Sequence, residues 1–283
     1  MTVLDRAELD VVDATAVARQ LAILRPEAVY HLAALTHVGE SWADPETVAR
    51  VNVGGTEAVM HGAAAAGAAV VVVVGSAEEY GIVAPDEVPV DETRPPRPSS
   101  PYGQSKAEAT RRAIEFAGET PTRVVIARPF NHTGPGQSPR FLIPALAERI
   151  AAAERRGEHE VAVGNLEPVR DIGDVRDVVV AYELLAERGE SAQVYNVCTG
   201  RGVAVRELAM RLVGQATVPL TLRVDPALVR PVDVPVLVGD RRKLTAATGW
   251  EPRVPLEQTL ADVLAEARAR PSSINGTGGS ASR

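Results

Sequence analysis

Ala69-Val70-Val71-Val72-Val73-Val74-Gly75-Ser76 carries a single polar side chain, and it stands at the end. A short β-branched run without polar alternation reads as a strand buried on both faces, as in a parallel sheet covered by helices. Ser76 then falls where the strand ends, on the edge where open α/β sheets bind their ligands. Three other stretches read as strands of the same sheet. They are Ala28–Ala34 with a small-residue turn, Arg123–Arg128 ended by Pro129, and Gln193–Val197 late in the chain. Helices are expected between them, over Ala14–Leu24 and from about Pro45 to Ala65. Leu9-Asp10-Val11-Val12-Asp13 reads as a strand end followed by a polar turn. The fold class is therefore α/β with a mostly parallel sheet.

Downstream lies Ser99-Ser100-Pro101-Tyr102-Gly103-Gln104-Ser105-Lys106. Pro101 suits a first helical position and the serines suit its cap. Tyr102 and Lys106 are four apart, so a helix puts both on one face. An ammonium beside a phenol favours the phenolate and lowers its pKa. A phenol tuned in this way can exchange a proton with a sugar hydroxyl or carbonyl. The Tyr-x-x-x-Lys spacing by itself is a weak signal, since a surface Tyr and a solvated Lys would give it too.

Ser76, Tyr102 and Lys106, in this order and context, resemble the triad of the extended short-chain dehydrogenase/reductases, the NAD-dependent epimerase/dehydratase family. The resemblance implies a Rossmann-type doubly wound sheet with a smaller α/β substrate domain. It also implies roles: Ser76 polarises the substrate oxygen, Tyr102 is the acid or base, and Lys106 tunes Tyr102 and holds the nicotinamide ribose. Glu78, two residues past Ser76, stands where the dehydratases of this family carry an acid that assists loss of water. The expected cofactor is NADP or NAD. Its contacts by resemblance are Asp13 to adenine, Leu32, Ala33 and Ala34 along the dinucleotide, and Pro129, Tyr102 and Lys106. Asn52 would prop a water or backbone near the lysine.

RPFNHTGPGQSPRF (128–141), GNLEPVRD (164–171) and DVRDV (174–178) narrow the resemblance. Together they are similar to the GDP-4-dehydro-6-deoxy-D-mannose reductases and their relatives, the GDP-mannose 4,6-dehydratases. The residues after Phe130-Asn131-His132 lean towards the reductases, whose product is GDP-D-rhamnose. A GDP-sugar carries two phosphate charges, and guanidinium meets phosphate oxygens bidentately. Arg170 and Arg230 are the candidates for that pyrophosphate. Asn131 can both donate and accept, and His132, Thr36 and His37 are further candidate sugar contacts.

One expected feature is missing. The dinucleotide fingerprint places glycines between a first strand and its helix. No glycine occurs before Gly39 in this chain, and Gly54-Gly55 falls in a helical pattern. The first βαβ unit is thus expected to be absent, and weak cofactor binding is expected with it. A start codon assigned too late, a truncated chain and a natural fragment unable to hold NAD(P) would each account for that.

The 283 residues carry a net charge of −7, which argues against general binding to nucleic acid or anionic membrane. No apolar run approaches the ~20 residues of a membrane span. Cys198 is the only cysteine, so no internal disulfide forms and a reducing, cytoplasmic location is expected. No metal site is expected. The expected units are 1–130 with 165–200 as an incomplete dinucleotide-binding domain and 131–164 with 201–270 as the nucleotide-sugar domain. Residues 271–283, rich in Ser and Gly, are expected to be disordered. A homodimer through a bundle of the Ala-rich helix and the Tyr102 helix is expected by resemblance. Three readings remain: a keto-sugar reductase, a dehydratase using Glu78, and a non-catalytic nucleotide-sugar-binding or dimer-partner protein.

Overall fold

A computed structural model of the chain describes residues 1–229 and 234–270. Its main sheet has four parallel strands in the order β1-β2-β3-β7: β1 (Ala28–His31), β2 (Val70–Val74), β3 (Arg123–Pro129) and β7 (Val194–Val197). Alternation along β2 sends its valines to opposite faces. Val70 and Val72 pack with Val125, Ala127 and helix α7 (Val175–Arg188). Val71 and Val73 pack with Val124, Ile126 and the helices α1 (Ala14–Leu24), α4 (Gly55–Ala65) and α5 (Pro101–Ala117). Both faces are covered, which is why the run needs no polar alternation. Each fully buried valine contributes roughly 1.5–3 kcal/mol.

Leu9–Val12 is not a strand. It forms turns, and no strand among the described residues pairs with the outer edge of β1. Extended backbone there has no ladder partner, whereas Leu9 and Val11 still reach the core beside α1. Asp13 caps α1, its Oδ1 accepting from the Ala16 N–H at 2.9 Å.

The expected Pro45–Ala65 helix is continuous but not uniform. Two short helices, α2 (Val38–Ser41) and α3 (Pro45–Ala49), lead into a π-helical turn at Arg50–Gly54, and α4 follows. The wide turn brings Asn52 inward, where it is buried. Such turns arise where a side chain must be presented out of the regular helical spacing.

The second sheet joins β4 (Asn131–Thr133), β6 (Val169–Asp174) and β10 (Val236–Leu237) in parallel, with β8 (Gly202–Ala204) antiparallel to β6. A parallel pair, β5 (Glu160–Val163) and β9 (Thr221–Val224), lies apart from it. α6 (Leu142–Arg156), α8 (Val205–Val213) and α10 (Leu256–Ala269) enclose a separate core around Ile150, Leu212 and Leu264. Two segments depart from the expected boundaries. β6, expected with the dinucleotide unit, hydrogen-bonds to the second sheet. α9 (Arg242–Thr248), expected with the sugar unit, puts Leu244 and the adjoining Trp250 into the core under the main sheet. Ladder pairing and apolar packing drive these placements, and neither follows position in the chain. No helix of the described residues is long and apolar enough to cross a membrane. The expected disordered tail, 271–283, lies outside the described residues.

Candidate active site

β2 ends at Val74, and the N–H of Gly75 after it donates to the Ala127 carbonyl at 2.8 Å. The next residue, Ser76, caps a single 3-10 turn, Ala77–Tyr80. The Ser76 hydroxyl accepts from the Glu78 N–H at 3.2 Å. The same hydroxyl bears on the Tyr102 phenol and acts to lower its pKa. Tyr102 reaches that point because Ser100 and Pro101 start α5 there: the Ser100 Oγ accepts from the Gly103 N–H at 3.1 Å. The Tyr102 N–H, left without a helical partner, donates to the Ser41 Oγ at 3.2 Å. The polar loop after β1, which carries Thr36 and His37, is thereby held against the start of α5.

Lys106 lies one turn further along α5 and is only 7% exposed. Its Nζ donates to the Val74 carbonyl at 2.7 Å. Burial brings its pKa down to about 8, with the nearby Glu79 charge acting in the opposite direction. The expectation that Lys106 lowers the Tyr102 pKa is not met. Tyr102 is pushed up to about 12 by burial, with Glu78 and Glu79 adding to the rise and the Ser76 hydrogen bond opposing it. The ammonium is turned onto a strand carbonyl, and the phenol is dry. At neutral pH Tyr102 is a protonated acid held beside a serine hydroxyl.

The layer beneath is polar and closed. Asn52 accepts from the Leu35 N–H at 2.8 Å and donates to the Leu35 carbonyl at 3.0 Å and to the Ser105 Oγ at 2.9 Å. It therefore fixes the backbone of the loop beside Lys106. His31 is buried against the Thr56 hydroxyl at 3.1 Å, and burial with the Lys106 charge lowers it to about 3, so it stays neutral.

Sequence reasoning passed over Glu79. It is fully buried. Its Oε1 accepts from the Ser76 N–H at 2.8 Å and from the Thr110 hydroxyl at 3.1 Å, and its Oε2 pairs with Arg128 at 2.7 Å. Arg128 stacks over Tyr80 at 4.7 Å, and the Tyr80 hydroxyl donates to Asn196 at 2.8 Å. The signal was available as an acid three residues after a capping Ser, the capping-box spacing.

The remaining candidates are more scattered. Leu32 is 61% exposed although apolar, and Ala33 is exposed beside it. They form an open, small-residue lip at the carboxyl end of β1, together with the half-buried Ala34. Pro129 closes β3 opposite Val197. Thr36 is exposed, whereas the His37 Nδ1 caps α2, accepting from the Glu40 N–H at 3.2 Å. Asn131 is exposed at the start of β4. The His132 Nδ1 donates to the Phe130 carbonyl at 3.0 Å and burial lowers its pKa, which leaves a neutral ring with Nε2 as the acceptor. Arg170 is half-buried on β6, donating to the Val169 carbonyl at 3.0 Å. Its neighbour Asp171 is fully buried and clamps the Thr199 N–H and hydroxyl at 2.8 and 2.6 Å and the Gly200 N–H at 2.9 Å. Arg230 lies outside the described residues. Among the described residues no group of His, Cys, Asp and Glu is arranged to hold a metal ion.

Comparison with known proteins places this geometry in context. A family model described as GDP-mannose 4,6 dehydratase matches residues 3–263. GDP-6-deoxy-D-mannose reductase of Pseudomonas aeruginosa is 35% identical over 247 residues, covering 87% of this chain and 81% of the relative. GDP-mannose 4,6-dehydratase of Vibrio cholerae is 26% identical over 288 residues, covering 90% of this chain and 76% of the relative. Among solved structures, RMD from Pseudomonas aeruginosa complexed with NADPH superposes with a TM-score of 0.88 at 33% identity, covering 96% of this chain and 90% of that one. A Thermus thermophilus UDP-glucose 4-epimerase in complex with NAD has a TM-score of 0.82 at 29% identity, with 92% and 84% covered.

Proposed function

This chain belongs to the GDP-mannose 4,6-dehydratase family, and from that premise we propose that it is an NAD(P)H-dependent reductase of a GDP-4-keto-6-deoxyhexose. The reaction read here takes GDP-4-dehydro-6-deoxy-D-mannose to GDP-D-rhamnose. The observation that carries it is the meeting of Ser76, Tyr102 and Lys106 at the end of β2, in a chain 35% identical to a reductase of that class.

A nicotinamide held at these residues would supply the hydride for C4 of the sugar. Tyr102, protonated and buried, gives its phenolic proton to O4 as charge develops there. The Ser76 hydroxyl donates to the same oxygen and then returns to Tyr102. Lys106 holds positive charge beneath the pair and holds the ribose of the cofactor. Leu32 and Ala33, exposed at the carboxyl end of β1, leave room there for the apolar side of a dinucleotide, and Ala34 and Pro129 are the further proposed apolar contacts. Asp13 is the proposed adenine contact. Asn131, His132, Arg170, Thr36 and His37 are the proposed contacts to the GDP-sugar, with Arg170 on the pyrophosphate.

A dehydratase is the second reading. It is favoured by the Glu78 carboxylate, whose charge bears on Tyr102, and by the description of the matching family. Purified protein given GDP-mannose and NADP separates the two. A reductase leaves GDP-mannose untouched and consumes NADPH only when the 4-keto sugar is supplied. Consumption of GDP-mannose without any added keto sugar would replace the reductase reading with the dehydratase.

The same reading assigns the cofactor to the main sheet and the nucleotide sugar to the unit built on α6, α8 and α10. It includes a cytoplasmic homodimer through α4 and α5, which pack together within the chain by the edge-on His61–Phe116 contact at 4.6 Å and the Arg112–Glu57 pair at 3.5 Å. A monomeric mass by light scattering would remove the dimer.

A further inference from the structure

An α-helix leaves its first N–H groups without helical partners, and in α5 Pro101 removes one of them. The Gly103 N–H goes to the Ser100 Oγ at 3.1 Å and the Gln104 N–H to the Ser100 carbonyl at 2.9 Å. Ser100 therefore closes its own turn but leaves the Tyr102 N–H to a partner from elsewhere. That partner is the Ser41 Oγ at 3.2 Å, 61 residues back in the chain. Ser41 is buried. Its hydroxyl proton goes to the Val38 carbonyl at 2.6 Å, so a lone pair is left to face Tyr102.

The Tyr102 carbonyl is held as well. It accepts from the Ser105 Oγ at 2.8 Å, Ser105 accepts from Asn52 at 2.9 Å, and Asn52 grips Leu35. Leu35 and Ser41 are the two ends of the loop after β1. The peptide groups on either side of the Tyr102 Cα are thus both tied to that one loop. On its outer side the same loop meets the segment between β4 and α6. Glu40 pairs with Arg140 there, and the His37 ring lies 6.4 Å from that of Phe141.

We propose that Ser41 is a positioning residue for Tyr102: its hydroxyl holds the first turn of α5, and with it the phenol, beside Ser76, while the Glu40–Arg140 pair keeps α2 in place to do so. The role rests on the reading of Tyr102 as the proton donor, whereas the hold on its backbone is measurable without it. Helix ends fray, so the first turn is where α5 gives way most readily. A small drift of that turn moves the phenolic oxygen relative to Ser76 without removing any contact to substrate.

The chain has five tyrosines, so labelling tyrosine alone with nitrogen-15 gives five amide signals in the NMR spectrum, and Tyr102→Phe identifies that of Tyr102. In Ser41→Ala the Tyr102 amide should exchange with solvent roughly three- to tenfold faster, the scale of one hydrogen bond, while the other tyrosine amides keep their parent rates. With the 4-keto sugar, kcat should fall about tenfold and KM stay within about twofold, because misplacing a reacting group acts on the chemical step. Arg140→Gln loosens α2 from its exposed side, where folding is not at stake. It should speed Tyr102 exchange about two- to fivefold, the range of an exposed ion pair. An unchanged Tyr102 exchange rate in either variant overturns the inference. Faster exchange with an unchanged kcat overturns it too, because Ser41 would then only cap a helix. A parent without turnover would instead overturn the functional reading, with the exchange rates still deciding the hold on Tyr102.

Discussion

In the proposed reaction Tyr102 and Lys106 divide the work of proton transfer by their surroundings. A dry phenol pushed up to about 12 holds its proton until a developing oxyanion takes it. Tyr102→Phe should lower kcat by roughly 10²–10⁴-fold while GDP binding by calorimetry stays near that of the parent; turnover within threefold would remove Tyr102 from the mechanism. If Lys106 acts as proposed, the reaction should depend on its charge and hence on pH. Burial holds its pKa at about 8 against 10.5 when unfolded. The ammonium is lost as pH rises through 8, so kcat/KM should fall above that point. Between about 8 and 10.5 the unfolded chain binds the extra proton, so the Lys106 contribution to stability rises with pH there. An activity profile flat to pH 9.5 would show that the lysine charge is not needed. Arg170→Ala should weaken GDP-sugar affinity by roughly 1.5–3 kcal/mol, the scale of a hydrogen bond to a charged group. Unchanged calorimetric affinity would return Arg170 to a structural role on β6.

At the scale of elements, the π-helical turn before α4 and the 3-10 turn after β2 do related work. Each departs from regular geometry to aim a polar side chain at the backbone that frames Tyr102 and Lys106. Asn52 meets both the N–H and the carbonyl of Leu35. Asn52→Ala leaves those half-buried groups without this partner and should cost about 1–3 kcal/mol, read as a lower denaturation midpoint. A midpoint equal to the parent's would mean that the loop finds other partners. Gly75 shows the same economy of space. Its substitution by Ala would drive a methyl into the Glu79 carboxylate.

At the scale of the whole molecule, the carboxyl-terminal third ties the two units together. Trp250 follows α9 into the core under the main sheet and donates its indole N–H to the Asp177 carbonyl at 2.9 Å. The Asp177 carboxylate accepts from the Arg253 and Val254 N–H groups, each at 2.9 Å. Asp171 holds the Thr199-Gly200 turn onto β6. The main-sheet core and the Ile150-Leu212-Leu264 core should therefore unfold together. Trp42 and Trp250 are the only tryptophans, and Trp42 is exposed. In a Trp42→Phe variant, the Trp250 fluorescence and far-UV circular dichroism transitions should coincide, the test of a cooperative unit. Separated midpoints would mean that the units unfold independently.

The sequence by itself determined the parallel α/β class, because an unalternating Val70–Val74 run is stable only with helices on both faces. It also determined that Ser76 follows the end of β2 and that α5 starts at Pro101, since caps and strand ends are local. The short motifs around Asn131 and Arg170 were enough to point to the nucleotide-sugar family. Tertiary structure alone decided the electrostatics. Spacing puts Lys106 on the face of Tyr102, but burial and the Val74 carbonyl set both pKa values, and burial is a property of elements far apart in the chain. Glu79 was invisible as a site residue for the same reason, since its partners Thr110 and Arg128 are 31 and 49 residues away. Leu9–Val12 carries a strand-like pattern and forms turns, because a strand needs a ladder neighbour that no local pattern can supply.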